Sequence, residues 1–299
     1  MNEPTGPGEI SIDDIGCYTI ANTTLLDARK IMAYAAAIND TNSCYFDDLR
    51  PGGLNVHPAI AFSLQWNARF LIDREMNRRA APFGVHAETD LRIFKPFRPG
   101  EAITTQGQIA GRRQVAPGVY TVDRYRMTNG QGELVAELDY CSIIRGGILA
   151  GDDLMVGENY EKPVCRNPSA EPLWQASIDI PLHASQQYTE CANIYNPIHT
   201  EPSAALKAGL PGVILHGSAT KAIALSQVIN HCFDGDSTRI TRLCGQLRAM
   251  VLLNTTMIVQ CLAIEDACAE RNVFFRVLNE NGDTAIANGV VCGSRSTSS

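Results

Sequence analysis

The chain has 299 residues, of which 45% are hydrophobic and 19% are charged, and its formal net charge is −7 at pH 7. This composition is typical of a globular protein with a buried core, and the acidic balance disfavours nucleic-acid binding, which needs a basic surface. The N-terminus lacks a basic start followed by an apolar run, and no apolar stretch reaches the roughly 18 residues of a membrane span. We therefore expect a cytosolic protein whose partner is a small molecule, with no nucleic acid and no membrane involved.

In the first half, one predicted helix precedes several predicted strands. The helix follows His57 and begins with Pro58, whose missing N–H is not needed in a first turn. It continues through the largely apolar residues 59–76. The blocks that follow alternate as strands do, with Asn129 and Gly130 as a turn signal between two of them.

The second half repeats this order of elements. A helix-like run follows His216, and a strand-rich block with the turn signal Asn281-Gly282 closes the chain. The spacing is also similar, because Asn42 and Asn196 are 154 residues apart and His57 and His216 are 159 apart. We interpret the chain as a tandem duplication of one α+β unit, a long central helix wrapped by an antiparallel sheet.

Glycine and proline residues between the halves have the composition of a linker. We predict three segments, which are a first copy at residues 1–150, a linker at residues 151–172 and a second copy at residues 173–299.

The start of the second copy carries a motif, YNPIHTEPSAALKAGLPGVILHGSAT. It resembles the hydratase-2 signature of MaoC-like enoyl-CoA hydratases and dehydratases, which runs roughly D-x-N-P-x-H, then D-P, then A-G-x-x-x-P-I-L-H-G. The matching residues are Asn196, Pro197, His199, Pro202, Ala208, Gly209, Leu215, His216 and Gly217. The block FKPFRPGEAI in the first copy resembles the family's stretch after its central helix, so that the resemblance covers nearly the whole chain.

The resemblance implies a double-hotdog fold and a lyase that adds water to, or removes it from, an α,β-unsaturated thioester. In the family an aspartate and a histidine handle the proton and the water, while a backbone N–H at the start of the central helix holds the thioester oxygen. A helix N-terminus suits an oxyanion because it offers both donors and a positive dipole end.

Residue by residue, the family's histidine falls on His199, its asparagine on Asn196 and its oxyanion glycine on Gly217. The aspartate position holds Ile194, which cannot accept a proton, and the preceding glycine position holds Asn193. We predict that the second copy carries the site despite this loss.

The first copy shows the opposite pattern. Asp40 and Asn42 keep the carboxylate and the amide, but Tyr45 stands at the histidine position and Pro58 at the oxyanion glycine. Proline has no N–H to donate. We therefore predict a degenerate site there, with Asp40 serving as a cap or turn residue.

These matches give a set of candidate site residues. The catalytic candidates are His199, Gly217 and Asn196, and the substrate-binding candidates are Asn193, Tyr195, His216 and Ser218. A structural role stays open for four of them: a turn residue for His199 and for Asn196, a buried backbone-bonded ring for His216 and close helix packing for Gly217. We expect neither a metal nor a cofactor.

The function prediction is a MaoC-like hydratase or dehydratase, specialised because the aspartate is missing. An isomerase or cyclase on the same fold, and a non-catalytic protein that binds an acyl or polyketide ligand, are the alternatives. The substrate would be a small molecule, possibly an acyl thioester of CoA or of a carrier protein, and a homodimer is possible. We expect a surface position for His86 and a solvated face for the basic residues Arg69, Arg74, Arg78 and Arg79.

Overall fold

The computed structural model describes residues 6–69 and 80–295. Its helices are α1 (Ala28–Ala37), α2 (Ala61–Arg69), α3 (Ala184–Ala192), α4 (Pro202–Lys207) and α5 (Gly217–Cys232). Short 3-10 turns lie at Ser43–Tyr45, Pro58–Ile60, Ala81–Phe83, Pro197–His199 and Ser237–Arg239. Within these described ranges, none of the helices combines the length and apolar character that crossing a bilayer requires.

The strands are numbered in chain order. They are β1 (Glu9–Ser11), β2 (Asn22–Leu25), β3 (Gly84–Ile93), β4 (Ala102–Val115), β5 (Gly118–Thr128), β6 (Leu134–Arg145), β7 (Ile148–Ala150), β8 (Leu154–Met155), β9 (Trp174–Ile180), β10 (Ile240–Leu247), β11 (Thr255–Ala267), β12 (Glu270–Leu278) and β13 (Thr284–Ser294). Strands β1 and β7 form a small parallel pair. The others form one sheet in the order β2-β4-β5-β6-β3-β10-β13-β12-β11-β9, with β8 paired to β4.

The two halves of the sheet meet where β3 pairs antiparallel with β10. In this pairing Asp90 lies opposite Cys244, the residue 154 positions later in the chain. The same number separates Asn42 from Asn196. The pair is therefore the centre of an approximate two-fold relation, which matches each residue of β3 with the residue of β10 that is 154 positions away.

Each half packs one helix against its part of the sheet, which confirms the predicted α+β class and the tandem arrangement. Helix α5 is buried on most sides because, apart from Lys221, its residues from Gly217 to Ser226 are apolar or small. In the first copy the helix begins as the 3-10 turn Pro58–Ile60 and continues as α2 to Arg69. The rest of the predicted helix, at residues 70–76, lies outside the described residues.

The predicted linker lies against both halves of the sheet. Its β8 pairs with β4, and the ammonium group of Lys162 forms an ion pair with Glu88 of β3. On the other side, Arg242 of β10 donates to the carbonyl of Glu161 at 2.8 Å. The linker thus connects the halves by direct contact, while its boundaries at residues 151 and 172 remain a prediction.

A buried charge cluster holds the junction of the halves together. Its centre is Arg92 on β3, which contacts Asp90 at 2.7 Å, Glu137 at 3.0 Å and Asp139 at 3.1 Å. Arg242 reaches across from β10 to Asp90 at 2.7 Å. The Arg92, Asp90 and Glu137 side chains are at most 6% exposed, so that each charge depends on its partners for solvation.

Candidate functional site

The motif loop follows α3 and turns sharply at Asn193. This residue has φ of 59°, the left-handed conformation that glycine and asparagine adopt most readily. The glycine of the family pattern and the asparagine here thus meet the same backbone requirement. The side chain of Asn196 then caps the turn Pro197–His199 by accepting from the Ile198 N–H at 3.5 Å. Asn196 is consequently a residue that shapes the loop.

His199 is half-buried, and one of its ring nitrogens is fixed by the backbone. Its Nδ1 lies 2.9 Å from the carbonyl oxygen of Ile214. A carbonyl can only accept, so that Nδ1 carries the proton and Nε2 of the neutral ring keeps its lone pair. Burial lowers the pKa of His199 to about 4. The ring is therefore a neutral base near pH 7, with Nε2 as its basic atom.

His216 stacks against His199 with ring centroids 3.9 Å apart. Its Nε2 lies 3.2 Å from the carbonyl oxygen of Ile194 and 3.3 Å from Oγ1 of Thr189. Burial, together with the charge of His199, lowers the pKa of His216 to about 2. Nδ1 of His216 has no hydrogen-bond partner within the described ranges. His216 is thus a buried ring that is hydrogen-bonded to the backbone and packs against His199, and its Nδ1 remains a free acceptor within the described residues.

The start of α5 provides the N–H groups of the site. His216 is its N-cap residue, and no side chain makes a capping bond there. The first N–H groups of a helix have no intrahelical acceptor, so those of Gly217 and Ser218 remain available to a ligand. The hydroxyl of Ser218 is hydrogen-bonded to Tyr188. Ser218 therefore offers a backbone donor more directly than a side-chain contact.

Gly217 also has a packing role. A Cβ added there would lie 2.4 Å from Cδ1 of Leu247. We expect Gly217→Ala to lower the free energy of unfolding by about 1–3 kcal/mol through overpacking, measured by denaturant unfolding. The loss should shrink when Leu247→Ala is combined with it. Gly212→Ala, which has nothing within 4 Å, serves as the control, and an equal loss in both variants would contradict the packing role.

Two other predicted contacts, Asn193 and Tyr195, have exposed side chains with partners of their own. Asn193 donates to Oδ1 of Asn67 at 3.3 Å, and the hydroxyl of Tyr195 lies 2.5 Å from Oε1 of Glu201. Tyr195 is 55% exposed. These bonds engage the polar groups that could have stood in for the carboxylate missing at Ile194.

The first copy has a similar arrangement of residues, but its histidine is used to cap a helix and its aspartate to form a turn. His57 occupies the place of His216, but its Nδ1 accepts from the Ala59 N–H at 3.3 Å and so caps its own helix. Asp40 accepts from the Asn42 N–H at 2.9 Å, as predicted for a turn residue. Burial lowers the pKa of His57 to about 4, and the charge of Asp40 acts against this shift. Asp40 therefore lies with His57 in its own copy.

A small pocket remains beside Pro58 in the first copy. It is lined by Val56, Pro58, Ile93, Pro96, Phe97, Ser237 and Ile240. Its volume of about 10 Å³ has room for roughly one water molecule. The first copy thus has neither donor nor space for an organic ligand at this point.

Sequence reasoning misplaced the side chains of two residues, His86 and Arg69. His86 was expected at the surface, but it is a half-buried residue within β3 and stacks on Tyr140 at 4.2 Å. Arg69 was expected on a solvated face, but it is half-buried with its guanidinium 4.9 Å from the Trp66 ring centroid. An alternating strand pattern cannot tell which face a histidine occupies. The other three arginines, Arg74, Arg78 and Arg79, lie outside the described residues.

Lys221 was not considered as a site residue from the sequence. It is 1% exposed, one turn after Gly217, and its ammonium lies 2.5 Å from Oγ1 of Thr89 on β3. Burial lowers the pKa of Lys221 to about 7. The signal in the sequence was a single lysine within an otherwise small and apolar helix, SATKAIALS.

Comparisons with known proteins agree with this arrangement. Residues 168–280 match the family model of the MaoC like domain, and residues 13–138 match that of the FAS1-like dehydratase domain region. The chain is 31% identical over 137 residues to fatty acid synthase beta subunit pkiC of Emericella nidulans, over 44% of this chain and 7% of that protein. It is 22% identical over 182 residues to the peroxisomal enoyl-CoA hydratase 2 of Arabidopsis thaliana, over 59% of each. The chain thus spans less than two thirds of the length of these curated relatives.

Solved structures share the fold over nearly the whole chain. A MaoC-like dehydratase from Phytophthora capsici superposes with a TM-score of 0.81 at 17% identity, covering 96% of this chain and 100% of that one. The peroxisomal multifunctional enzyme type 2 of Drosophila melanogaster gives 0.75 at 17% identity, covering 93% and 48%. A conserved hypothetical protein of Mycobacterium tuberculosis described as having a double hotdog fold gives 0.60 at 12% identity, covering 94% and 96%. The predicted double hotdog is confirmed.

Proposed function

Residues 168–280 belong to the MaoC-like domain family, and from this premise we propose that the protein is a hydro-lyase acting on α,β-unsaturated acyl thioesters. The reaction is the reversible addition of water to the double bond. The reacting site is the one formed by His199 and the start of α5 in the second copy.

The observation that supports this proposal most strongly is the hydrogen bond that fixes the ring of His199. The bond from Nδ1 to the Ile214 carbonyl leaves Nε2 as the base, and the uncapped start of α5 lies directly after His216, on which His199 stacks. To form an enolate from a thioester, an enzyme needs a base that removes the C2 proton and a donor that stabilises the oxyanion. This site has both groups.

In the dehydration direction, the thioester oxygen accepts from the Gly217 N–H, where the helix dipole also stabilises negative charge. Nε2 of His199 takes the proton from C2, and the electron pair of that bond moves into the enolate. When the enolate collapses, the C2–C3 double bond forms and the C3–O bond breaks. The departing oxygen takes the proton back from His199 and leaves as water.

With isoleucine at position 194, the proton transfers that an aspartate and a histidine share in the family fall to one residue. Ile194 is buried and contributes only its backbone carbonyl, which holds His216. His199 is therefore the residue that both removes and returns the proton. This division favours substrates whose C2 proton is activated by a conjugated carbonyl group.

The direct test is to incubate the purified chain with trans-2-enoyl-CoA thioesters of increasing chain length and to follow the absorbance of the conjugated thioester. We expect a loss of absorbance in the wild type. Thermal stabilisation by these thioesters without any loss of absorbance would instead indicate a non-catalytic acyl-binding protein. Parallel assays with acyl-carrier-protein thioesters identify which carrier is preferred.

The pH dependence is expected to reflect the buried imidazole. Because burial lowers the pKa of His199 to about 4, kcat/KM should stay level from about pH 8 to pH 5 and fall only towards pH 4. An ordinary histidine base would lose half its activity near pH 6.5. Between the pKa of about 4 in the native chain and about 6.5 in the unfolded chain, the unfolded chain binds more protons at His199. The free energy of unfolding therefore falls as pH falls through this range. Rates must therefore be normalised to the folded fraction, and a midpoint near pH 6.5 would contradict the assignment.

The cytosolic location and the homodimer predicted from the sequence are part of the same proposal. One matched relative is named as peroxisomal, so that microscopy of a tagged chain in its own cell is the suitable check. Sedimentation of the purified chain tests the dimer.

A further inference from the structure

The two-fold relation between β3 and β10 locates a further histidine of the site. This relation matches residues 154 positions apart, and it therefore matches His86 on β3 with Ile240 on β10. Ile240 lines the small pocket beside Pro58, at the start of the first copy's helix. The matching position in the second copy is beside Gly217, and the side chain there is that of His86.

Leu247 provides an independent check of this correspondence. Ile93, 154 positions earlier, lines the same pocket in the first copy. In the second copy Leu247 is observed directly against Gly217, at 2.4 Å from the site of an added Cβ. The offset that predicts this contact is the one that places His86.

The ring of His86 stacks on a neighbouring ring, and one of its nitrogens makes no hydrogen bond. It stacks on Tyr140 with an interplanar angle of 24°. Its Nε2 is buried and has no hydrogen-bond partner in the part of the chain that the structure describes. A buried polar atom without a partner is costly, and its presence is explained when a ligand group or a water molecule completes the bond.

Charges around His86 agree with a position inside the site. Burial lowers the pKa of His86 well below its ordinary value, and the positive charges of Lys221, Arg69 and His199 lower it further. His86 is therefore neutral near pH 7, and one of its nitrogens carries a lone pair.

We propose that His86 is a further catalytic residue, whose Nε2 accepts a hydrogen bond from the 3-hydroxyl group of the substrate in place of the carboxylate lost at Ile194. This inference rests on the proposed function. In dehydration, His199 takes the C2 proton and returns it to the departing oxygen as the C3–O bond breaks. The original O–H of that oxygen stays bonded to His86 throughout, so that water leaves with both its hydrogens accounted for. In hydration, His86 orients the attacking water by the same bond.

Replacing His86 by leucine and by glutamine tests this role. Glutamine places an acceptor oxygen near the position of Nε2, whereas leucine has no acceptor. We expect His86→Leu to lower kcat by about tenfold or more while KM changes by less than about threefold, and His86→Gln to stay within about threefold of the wild type. His231→Leu, at an exposed ring at the far end of α5, is the control and should match the wild type. Thermal unfolding confirms that all variants are folded.

The other outcomes separate this inference from the proposed function. Wild-type kcat in folded His86→Leu, together with an inactive His199→Ala, overturns the role of His86 and leaves the function standing. A wild type that converts no enoyl thioester, or a fully active His199→Ala, overturns both. A readout without turnover is the ¹⁵N signal of His86 Nε2 in His199→Ala protein on addition of 3-hydroxybutyryl-CoA. This signal should shift, and an unchanged signal at saturating ligand overturns the role.

Discussion

His199→Ala is expected to lower kcat by about 10² to 10⁴, the usual contribution of a well-placed general acid–base. The loss should be this large because Ile194 offers no second proton-transfer group and His216 has a pKa near 2. Steady-state hydration of an enoyl-CoA thioester measures it. KM should change little, since the ring acts on the C2 proton and contributes little to binding the ground state.

Tyr45→Phe is the matched control for this variant. Tyr45 stands at the position of His199 in the first copy and packs against His57 there, with ring centroids 5.5 Å apart. We expect its kcat to equal that of the wild type. Equal losses in both variants would mean that the motif loops support folding in the same way and that His199 has no chemical role.

Arg92→Met is expected to have the largest effect on stability, about 3–5 kcal/mol in the free energy of unfolding. Without the guanidinium, Asp90 still has Arg242 at 2.7 Å, but Glu137 loses its nearest partner at 3.0 Å. The remaining arginines lie 3.7 Å from this carboxylate. A nearly buried carboxylate then keeps only these two longer ion pairs and loses the closest one, and losing a partner of a buried charge is the costly case.

Urea unfolding of three proteins checks this prediction. Arg126→Met is the control, because Arg126 is 60% exposed and 3.7 Å from Glu137, and exposed pairs contribute about 0–1 kcal/mol. The double variant Arg92→Met with Glu137→Leu should recover much of the loss by removing both charges. A single Arg92→Met variant as stable as the control would show that water reaches the charge cluster.

The repeated fold was accessible from the sequence because its signals are local. Asn129-Gly130 and Asn281-Gly282 do lie in the turns after β5 and β12. The offset of 154 residues between the two halves is also found in the structure, where Asp90 pairs with Cys244. The charge cluster was not predicted. It depends on which strands become neighbours, and a pattern along one strand does not contain that information.

The candidate site was only partly predictable for the same reason. The motif placed His199 and Gly217 together because both lie on one continuous segment of the chain. His86 and Lys221 were missed because His86 lies on the distant strand β3 and Lys221 extends from α5 to Thr89 on that strand. Spacing along the sequence does not record such an approach. Asn193 and Asn196 shape the loop backbone, as the left-handed φ of Asn193 and the capping bond of Asn196 show. The turn role of Asn196 was one of the alternatives from the sequence, whereas that of Asn193 was not predicted.

Hydration of crotonyl-CoA in D₂O, followed by mass spectrometry of the product, tests whether the second copy is a hydratase site with His199 as its base. We expect wild-type protein to give 3-hydroxybutyryl-CoA with one deuterium bonded to C2, because His199 takes a deuteron from the attacking D₂O and delivers it to C2, and His199→Ala to give almost none. Equal deuterated product from both proteins, or no product from the wild type, would contradict the assignment of the second copy as a hydratase site.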